Sequence, residues 1–370
     1  MNSNIYVFTG SKKDFENFLN EKIQVGDDIT YFMELIKDYN ANLRQEHAYL
    51  RDDIDVENLI VKSDDYASVF EHVIQNFITI VTTNHNVANT YLHNPPKRVM
   101  DALMVSYSDK ITCRGTEYVD VDRSIVKQVW KTVNSEIVGQ TKAKYSIVSN
   151  LYKLCNKNHV KPIVLMLLGD SGIGKTETAK VISSILGGNL LRIQFSMMQT
   201  NEGYNYIFGS EHSKSSFAKD LLSRESNIVL IDEFDKVNPT FYNAFYQLFD
   251  EGKYVDTNYC VDVSRCVFIC TSNFMSEKEA IEKIGIPIFS RFDEVIKYEY
   301  LSNEEKIEIL DSIYHSCFSN LLPDEQKIIS ESNIYNWHKE NISRFKNVRI
   351  IKSKLEKAIN ALLVSKFIIS

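Results

Sequence analysis

Ile163-Val164-Leu165-Met166-Leu167-Leu168-Gly169-Asp170-Ser171-Gly172-Ile173-Gly174-Lys175-Thr176 decides the reading of this chain. Six apolar residues run straight into a GxxxxGK[ST] pattern, and an apolar-periodic stretch (Ala179, Val181, Ile182, Ile185, Leu186) follows. A short apolar run of that length suits a strand buried on both faces, and the following period suits a helix. Glycines between them let backbone N–H groups wrap a phosphate chain at the helix N-terminus, where the helix dipole favours negative charge. In that arrangement Lys175 reaches the β and γ phosphates and the Thr176 hydroxyl goes to Mg²⁺.

The pattern continues outward from this segment. Leu190 to Phe195, Ile228 to Ile231, Cys266 to Cys270 and Glu294 to Tyr300 are further strand candidates separated by helical stretches, which predicts an α/β fold with a five-stranded parallel sheet. Ile228-Val229-Leu230-Ile231 runs into Asp232-Glu233. A buried strand ending in two acids delivers both carboxylates to the sheet's carboxyl edge, where open α/β sheets bind ligands. Asp232 is placed to hold Mg²⁺ through water and Glu233 to polarise an attacking water. Beyond Tyr300 the chain reads as helical, with Asn303 capping Glu304 to Phe318 and a last helix from Ile351 to about Val364.

The first 120 residues read as a small mixed α/β module. Ile5 to Phe8 is a strand candidate, and Phe15, Phe18 and Leu19 fall at helical spacing. Two more helices are suggested by Phe32, Leu35, Ile36, Tyr39 and Leu43, and by Phe70, Val73, Ile74 and Phe77; a fourth begins at Lys97 after Asn94-Pro95-Pro96. Of the histidines here, His47, His72, His85 and His93, none pairs with another at i+3 or i+4, so no metal or catalytic constellation emerges.

Composition narrows the class. The chain has 370 residues, 44% hydrophobic and 25% charged, with only 13 Gly and 6 Pro, which excludes collagen-like and wholly disordered readings. Its net charge of −7 argues against sequence-independent coating of nucleic acid. The apolar runs Phe77 to Val81 and Ile163 to Leu168 are far short of the roughly 20 residues that a membrane span needs, and the first residues carry no secretory pattern, so a cytoplasmic protein with no membrane contact is expected. The six dispersed Cys are expected to be reduced and mostly buried.

With these motifs in hand the chain resembles the AAA+ ATPases of the Clp type, in particular their second ATPase domain. The phosphate loop continues as GKTETAK, and the acid pair as DEFDKVNPTFYNAFYQLFDEGKYVD, over a resemblance running from about Ile137 to Lys357. It implies an AAA+ P-loop NTPase organised as a module 1–120, a large nucleotide-binding domain 121–300 and a small helical lid domain 301–370. It also implies ATP and Mg²⁺ as cofactors. Ile137 and Val138 match the loop that lines the adenine; Asp170, Ser171, Gly172, Ile173, Gly174, Lys175, Thr176 and Glu177 match the phosphate loop; Thr176 and Asp232 match the metal positions. Asn273, in Cys270-Thr271-Ser272-Asn273, matches sensor 1, which orients the hydrolytic water with Glu233. Arg291, in Ile288-Phe289-Ser290-Arg291-Phe292-Asp293-Glu294, matches the arginine finger that reaches a neighbour's γ phosphate. Arg349 lies where the family has its sensor-2 arginine, with Arg344 close by.

The resemblance fails in one functional element. Clp unfoldases carry a Gly-Tyr-Val-Gly pore loop; here the segment from Ser210 to Phe217 is shorter and lacks it, leaving Tyr204 or Tyr206 as substitutes. Torsins look similar in having a Clp-type core without that loop. The implied function is Mg²⁺-dependent ATP hydrolysis by a ring-like homo-oligomer, a hexamer, that remodels a protein partner chosen by residues 1–120. The alternative is a nucleotide-regulated scaffold or switch, for example in a defence or mobile-element system, with slow hydrolysis and no threading.

Overall fold

A computed structural model describes residues 4–43, 54–195, 201–210 and 215–369. Its twelve strands are β1 Asn4–Thr9, β2 Ile29–Tyr31, β3 Ile54–Val61, β4 His85–His93, β5 Ile111–Gly115, β6 Ile163–Leu168, β7 Leu191–Gln194, β8 Ile228–Asp232, β9 Lys253–Val255, β10 Cys260–Asp262, β11 Val267–Thr271 and β12 Glu294–Lys297. They form two parallel five-stranded sheets, β2-β3-β4-β1-β5 and β12-β6-β11-β8-β7, and a small antiparallel pair, β9 with β10.

The second sheet is the predicted one. Every residue of β6, β8 and β11 is buried. Their side chains alternate between two cores: Val164, Met166 and Leu168 join Phe234, Phe245 and Phe268 on one face, while Ile163, Leu165 and Leu167 join Ile147 and Ile182 on the other. Two covered faces explain why these strands are continuous apolar runs rather than alternating ones. The helix Lys175–Leu186 follows β6 directly.

The first sheet is more extensive than its single predicted strand, Ile5 to Phe8. Its strands escape a hydrophobic reading because Asn4, Asn89 and Asn58 lie in register across β1, β4 and β3. Their amides bond to one another, Asn4 to Asn89 at 3.0 Å and Asn89 to Asn58 at 3.3 Å. Helices cover both faces: Lys12–Lys22 packs Phe15 and Phe18 on Phe8, Ile60 and Tyr91, while Phe32–Leu43 and Lys97–Tyr107 cover the other side. The helix expected around Phe70 to Phe77 divides into Glu71–Gln75 and Phe77–Thr82, because Asn76 leaves the helical region (φ −108°, ψ 25°) and returns its side-chain amide to the His72 carbonyl. His47 lies outside the described residues.

The C-terminal helices gather Leu310, Ile342, Phe345, Ile351, Leu355 and Ile359 into a core of their own. Asn303 is not the cap but the first residue of helix Asn303–Ser319. Ser302 caps it, its hydroxyl accepting the Glu305 N–H at 3.2 Å while Glu305 accepts the Ser302 N–H at 2.7 Å. The last helix begins three residues before the expected Ile351 and runs Val348–Phe367, capped by Asn347. The cysteines also depart from expectation: Cys266 and Cys270 are buried, but Cys113 and Cys260 are exposed, on short strands at sheet margins. All six are free thiols. Among the described residues no helix is long and apolar enough to cross a membrane.

Gly10 tests the first sheet. Its φ of +145° is open to glycine, and a Cβ there would stand 2.1 Å from the Thr116 hydroxyl and 2.8 Å from the Thr116 backbone nitrogen. Gly10→Ala is expected to destabilise this unit by ~1–3 kcal/mol, read as faster hydrogen exchange of the β1 and β4 amides with the β6 amides unchanged.

Candidate active site

The carboxyl ends of β6, β8 and β11 meet at one edge because the three strands are parallel neighbours. The phosphate-loop sequence leaves β6 there, and the Gly169 N–H donates to the Phe274 carbonyl at 3.0 Å, tying the loop to the turn after β11. Gly172 has φ +75° and faces the start of the last helix: a Cβ would lie 3.2 Å from the Asn347 side chain. Val348 donates its N–H to the Gly172 carbonyl at 3.2 Å, so the last helix starts against the loop.

Lys175 is buried, and its Nζ donates to the Gly169 and Asp170 carbonyls at 2.5 and 2.8 Å. Burial pulls its pKa down to about 8, against the opposing pull of Asp235, Asp170 and Asp232. Ile173 is buried; Ser171 and Thr176 are half-buried, and the Ser171 N–H donates to its neighbour Asp170 at 2.7 Å. Glu177 points to solvent and pairs with Lys180 at 3.0 Å. Of the two candidates before the helix Thr141–Leu151, Ile137 is buried and Val138 half-buried. The backbone beyond them is pinned by Gln140, which exchanges hydrogen bonds with the Glu299 backbone at 2.7 and 3.0 Å.

Asp232 and Glu233 are held by residues the sequence did not single out. Thr271 donates its hydroxyl to Asp232 Oδ1 at 2.5 Å and accepts the Glu233 N–H at 3.1 Å. Arg192 of β7 places Nε 3.0 Å from Asp232 Oδ2 and pairs with it through Nη2 as well. Gln194, in register with Asp232, donates to Glu233 Oε2 at 3.3 Å. Glu233 adopts φ 57°, ψ 49°, a left-handed backbone that costs a non-glycine residue of order 1 kcal/mol and is common at functional sites. Asn273 is exposed beside this pair, its N–H donating to Asp235 at 3.3 Å.

One sequence candidate lies apart from this cluster. Arg291 precedes β12, where Asp293 and Val164 exchange hydrogen bonds at 2.7 and 2.8 Å, so it sits at the amino edge of the sheet. From Val164 to Leu168 the strand rises ~13 Å, and Arg291 lies beyond that on the far side from the phosphate loop. It pairs with Asp250 at 2.9 Å, over the Tyr246 ring at 4.3 Å. Arg349 is exposed on the first turn of the last helix, and its side chain has no hydrogen-bond or ion-pair partner among the described residues. Tyr206 donates to Asp220 at 2.5 Å and packs on the core, whereas Tyr204 is exposed. Residues 211–214 lie outside the described residues.

The residues fit a nucleotide and its divalent ion: a glycine loop at a helix N-terminus, a buried lysine at its mouth, and a buried carboxylate beside a threonine hydroxyl. Comparison with known proteins decides the family. Residues 161–323 match the AAA domain (Cdc48 subfamily). They form a Clp-type AAA+ ATPase module. Relatives of this chain include the chaperone protein ClpB of Clostridium tetani, 23% identical over 288 residues, or 68% of this chain and 33% of that protein. A ClpA homolog protein of Fuscovulum blasticum is 30% identical over 44% of this chain and 22% of its own length. The human mitochondrial disaggregase is 30% identical over 40% of this chain and 23% of its own length. This chain therefore spans a third or less of the relatives it matches. Among solved structures, the S. cerevisiae Hsp104–ADP complex superposes with TM-score 0.53 at 18% identity, covering 66% of this chain and 40% of that one, which shows the fold.

Two predictions follow from the AAA+ geometry. Thr271→Val keeps the shape and removes both hydrogen bonds, so turnover should fall about 10–100-fold while the dissociation constant for ADP stays within about threefold. The Lys175 ammonium is the form that attracts phosphates. Above pH 8 the free protein's lysine loses its proton, so nucleotide affinity should weaken by up to about tenfold per pH unit and binding should take up a proton. Calorimetry in two buffers of different ionisation enthalpy reads both effects.

Proposed function

We propose that this chain hydrolyses ATP with Mg²⁺, and that its active site is completed by Arg291 of a neighbouring copy. The placement of Arg291 at the sheet edge opposite the phosphate loop carries this reading, because no rotamer takes it to its own loop. On the edge of a ring subunit it faces the next subunit's nucleotide. Lys175 binds the β and γ phosphates, and Ile137 and Val138 line the base. A divalent ion, held by Thr176 and through water by Asp232, would neutralise charge between the β and γ phosphates. Glu233 accepts the proton of the attacking water, which Asn273 orients. Arg291 stabilises the charge that spreads over the transferring phosphoryl oxygens, a contribution of roughly 10³–10⁵ in rate where it has been measured. Arg349 closes over the nucleotide from the lid. Residues 1–120 form the unit that selects a protein partner for remodelling, 121–300 the nucleotide-binding domain and 301–370 the lid, and the assembly is a hexameric ring in the cytoplasm.

A second reading, a nucleotide-regulated scaffold with slow hydrolysis, is favoured by one observation. Tyr206, a substitute for the missing pore aromatic, is turned inward onto Asp220. Tyr204, 55% exposed, is then the aromatic able to grip a threaded chain. Tyr204→Ala should abolish remodelling of a partner by a threading motor and leave basal hydrolysis intact; a switch is indifferent to it.

Mixing separates trans from cis catalysis. Lys175→Ala and Arg291→Ala chains, each inactive alone, should regain a fraction of wild-type hydrolysis when combined, because Arg291 of one serves the intact phosphate loop of the other. Inactivity at every ratio contradicts the assignment of Arg291, and wild-type turnover in Glu233→Gln contradicts that of Glu233.

A further inference from the structure

A cleft of about 490 Å³ opens at the carboxyl edge of the first sheet, away from the phosphate loop. Lys12 and Phe15 reach it from the helix after β1, Lys62 from just past β3, Asp64 from the short helix Ser63–Ala67 that follows, and His93 from the end of β4. These three strands are adjacent in the order β3-β4-β1. The chain leaves β1 toward β2 at one edge of the sheet and leaves β4 toward β5 at the other. Such a reversal between neighbouring parallel strands is where open α/β sheets bind their ligands.

His93 supplies an independent sign of a ligand. The residue is 3% exposed and its ring stacks on Phe15 with centroids 4.6 Å apart. Nε2 lies 2.9 Å from the Gly10 carbonyl, which can only accept, and 3.1 Å from the Asn94 side-chain amide nitrogen; the carbonyl contact is the shorter, so Nε2 carries the proton and Nδ1 the lone pair. That atom has no partner among the described residues. Burial lowers the ring's pKa, which favours the neutral form with Nδ1 as an acceptor.

The lining asks for a ligand of two characters. Lys12 and Lys62 present ammonium groups, while Glu16, Asp64 and His93 Nδ1 accept hydrogen bonds. A bare anion leaves the carboxylates facing like charge, and a bare cation faces the lysines. A molecule with a compact anionic end, hydroxyl or amino donors and a flat ring for the Tyr31 wall, where Lys62 Nζ lies 4.8 Å from the ring centroid, satisfies all of them, and the volume is that of a small-molecule site. We propose that this cleft is a second nucleotide-binding site, with phosphates on Lys12 and Lys62 and donors on Glu16, Asp64 and His93. Its far wall is Lys219 and Asp220, on helix Phe217–Leu222 of the AAA+ module. Asp220 accepts from Tyr206, so an occupant bears on the helix Asn201–Phe208 that follows β7. The site thus couples the first unit to the ATPase.

Equilibrium dialysis of the full chain against labelled ADP, GDP, CDP, UDP and NAD⁺ tests this. The Lys175→Ala chain, with its phosphate loop disabled, should bind one equivalent of at least one of them. Adding Lys12→Ala and Lys62→Ala should weaken that binding at least about tenfold, as expected for two lost charge-assisted contacts. The same pair of changes in the wild-type background should leave one equivalent at the phosphate loop, which also shows that the protein is folded. No binding of any of the five to the Lys175→Ala chain overturns the proposal, as does binding that survives loss of both lysines. Equal binding to wild type and Lys175→Ala, abolished by the lysine pair, upholds this site and instead overturns the phosphate-loop reading.

Discussion

The hydrogen bond between Thr271 and Asp232 is the contact on which the site depends. It joins two strand ends that only a parallel, fully buried sheet brings side by side, and it fixes the acid pair from below. The same threonine oxygen accepts the Glu233 N–H. That bond holds the glutamate in a backbone conformation it would not choose by itself, so the strain at Glu233 is balanced by the sheet and not by local sequence. Arg192 and Gln194 complete the frame from the next strand.

Local patterns in the sequence identify this frame only in part. The phosphate loop and the acid pair are legible because their chemistry is contiguous: an apolar strand, then the functional residues. Arg192 and Gln194 are not, since their roles come from the register of β7 on β8, across about 40 residues of chain. Thr271 lies within the sensor-1 match, but its two hydrogen bonds are a property of the sheet. The first unit was the least legible. Its strands β3 and β4 carry Asn58 and Asn89 in a hydrogen-bonded row, and polar residues that satisfy one another across a sheet look like loop in a linear reading. Two helices start one and three residues before their expected positions, because capping belongs to the residue whose side chain reaches back, as Ser302 and Asn347 do.

The two sheets have a common logic. Each gathers its polar and charged residues at the carboxyl edge of parallel strands, and each edge is closed by a separate element: the lid helix over the Gly172 loop, and helix Phe217–Leu222 over the cleft at His93. The units also meet directly, through the Lys97 N–H on the Asn258 carbonyl at 2.8 Å and the Arg224 guanidinium over the Tyr118 ring at 4.6 Å.

Arg291 stands outside both edges, at the opposite end of the second sheet from the phosphates it is assigned to serve. The most direct measurement is the mass of the Glu233→Gln chain by light scattering, with ATP·Mg²⁺ and with ADP. A particle of several chains that forms with ATP is expected. A single chain under both conditions would contradict the neighbour-completed site.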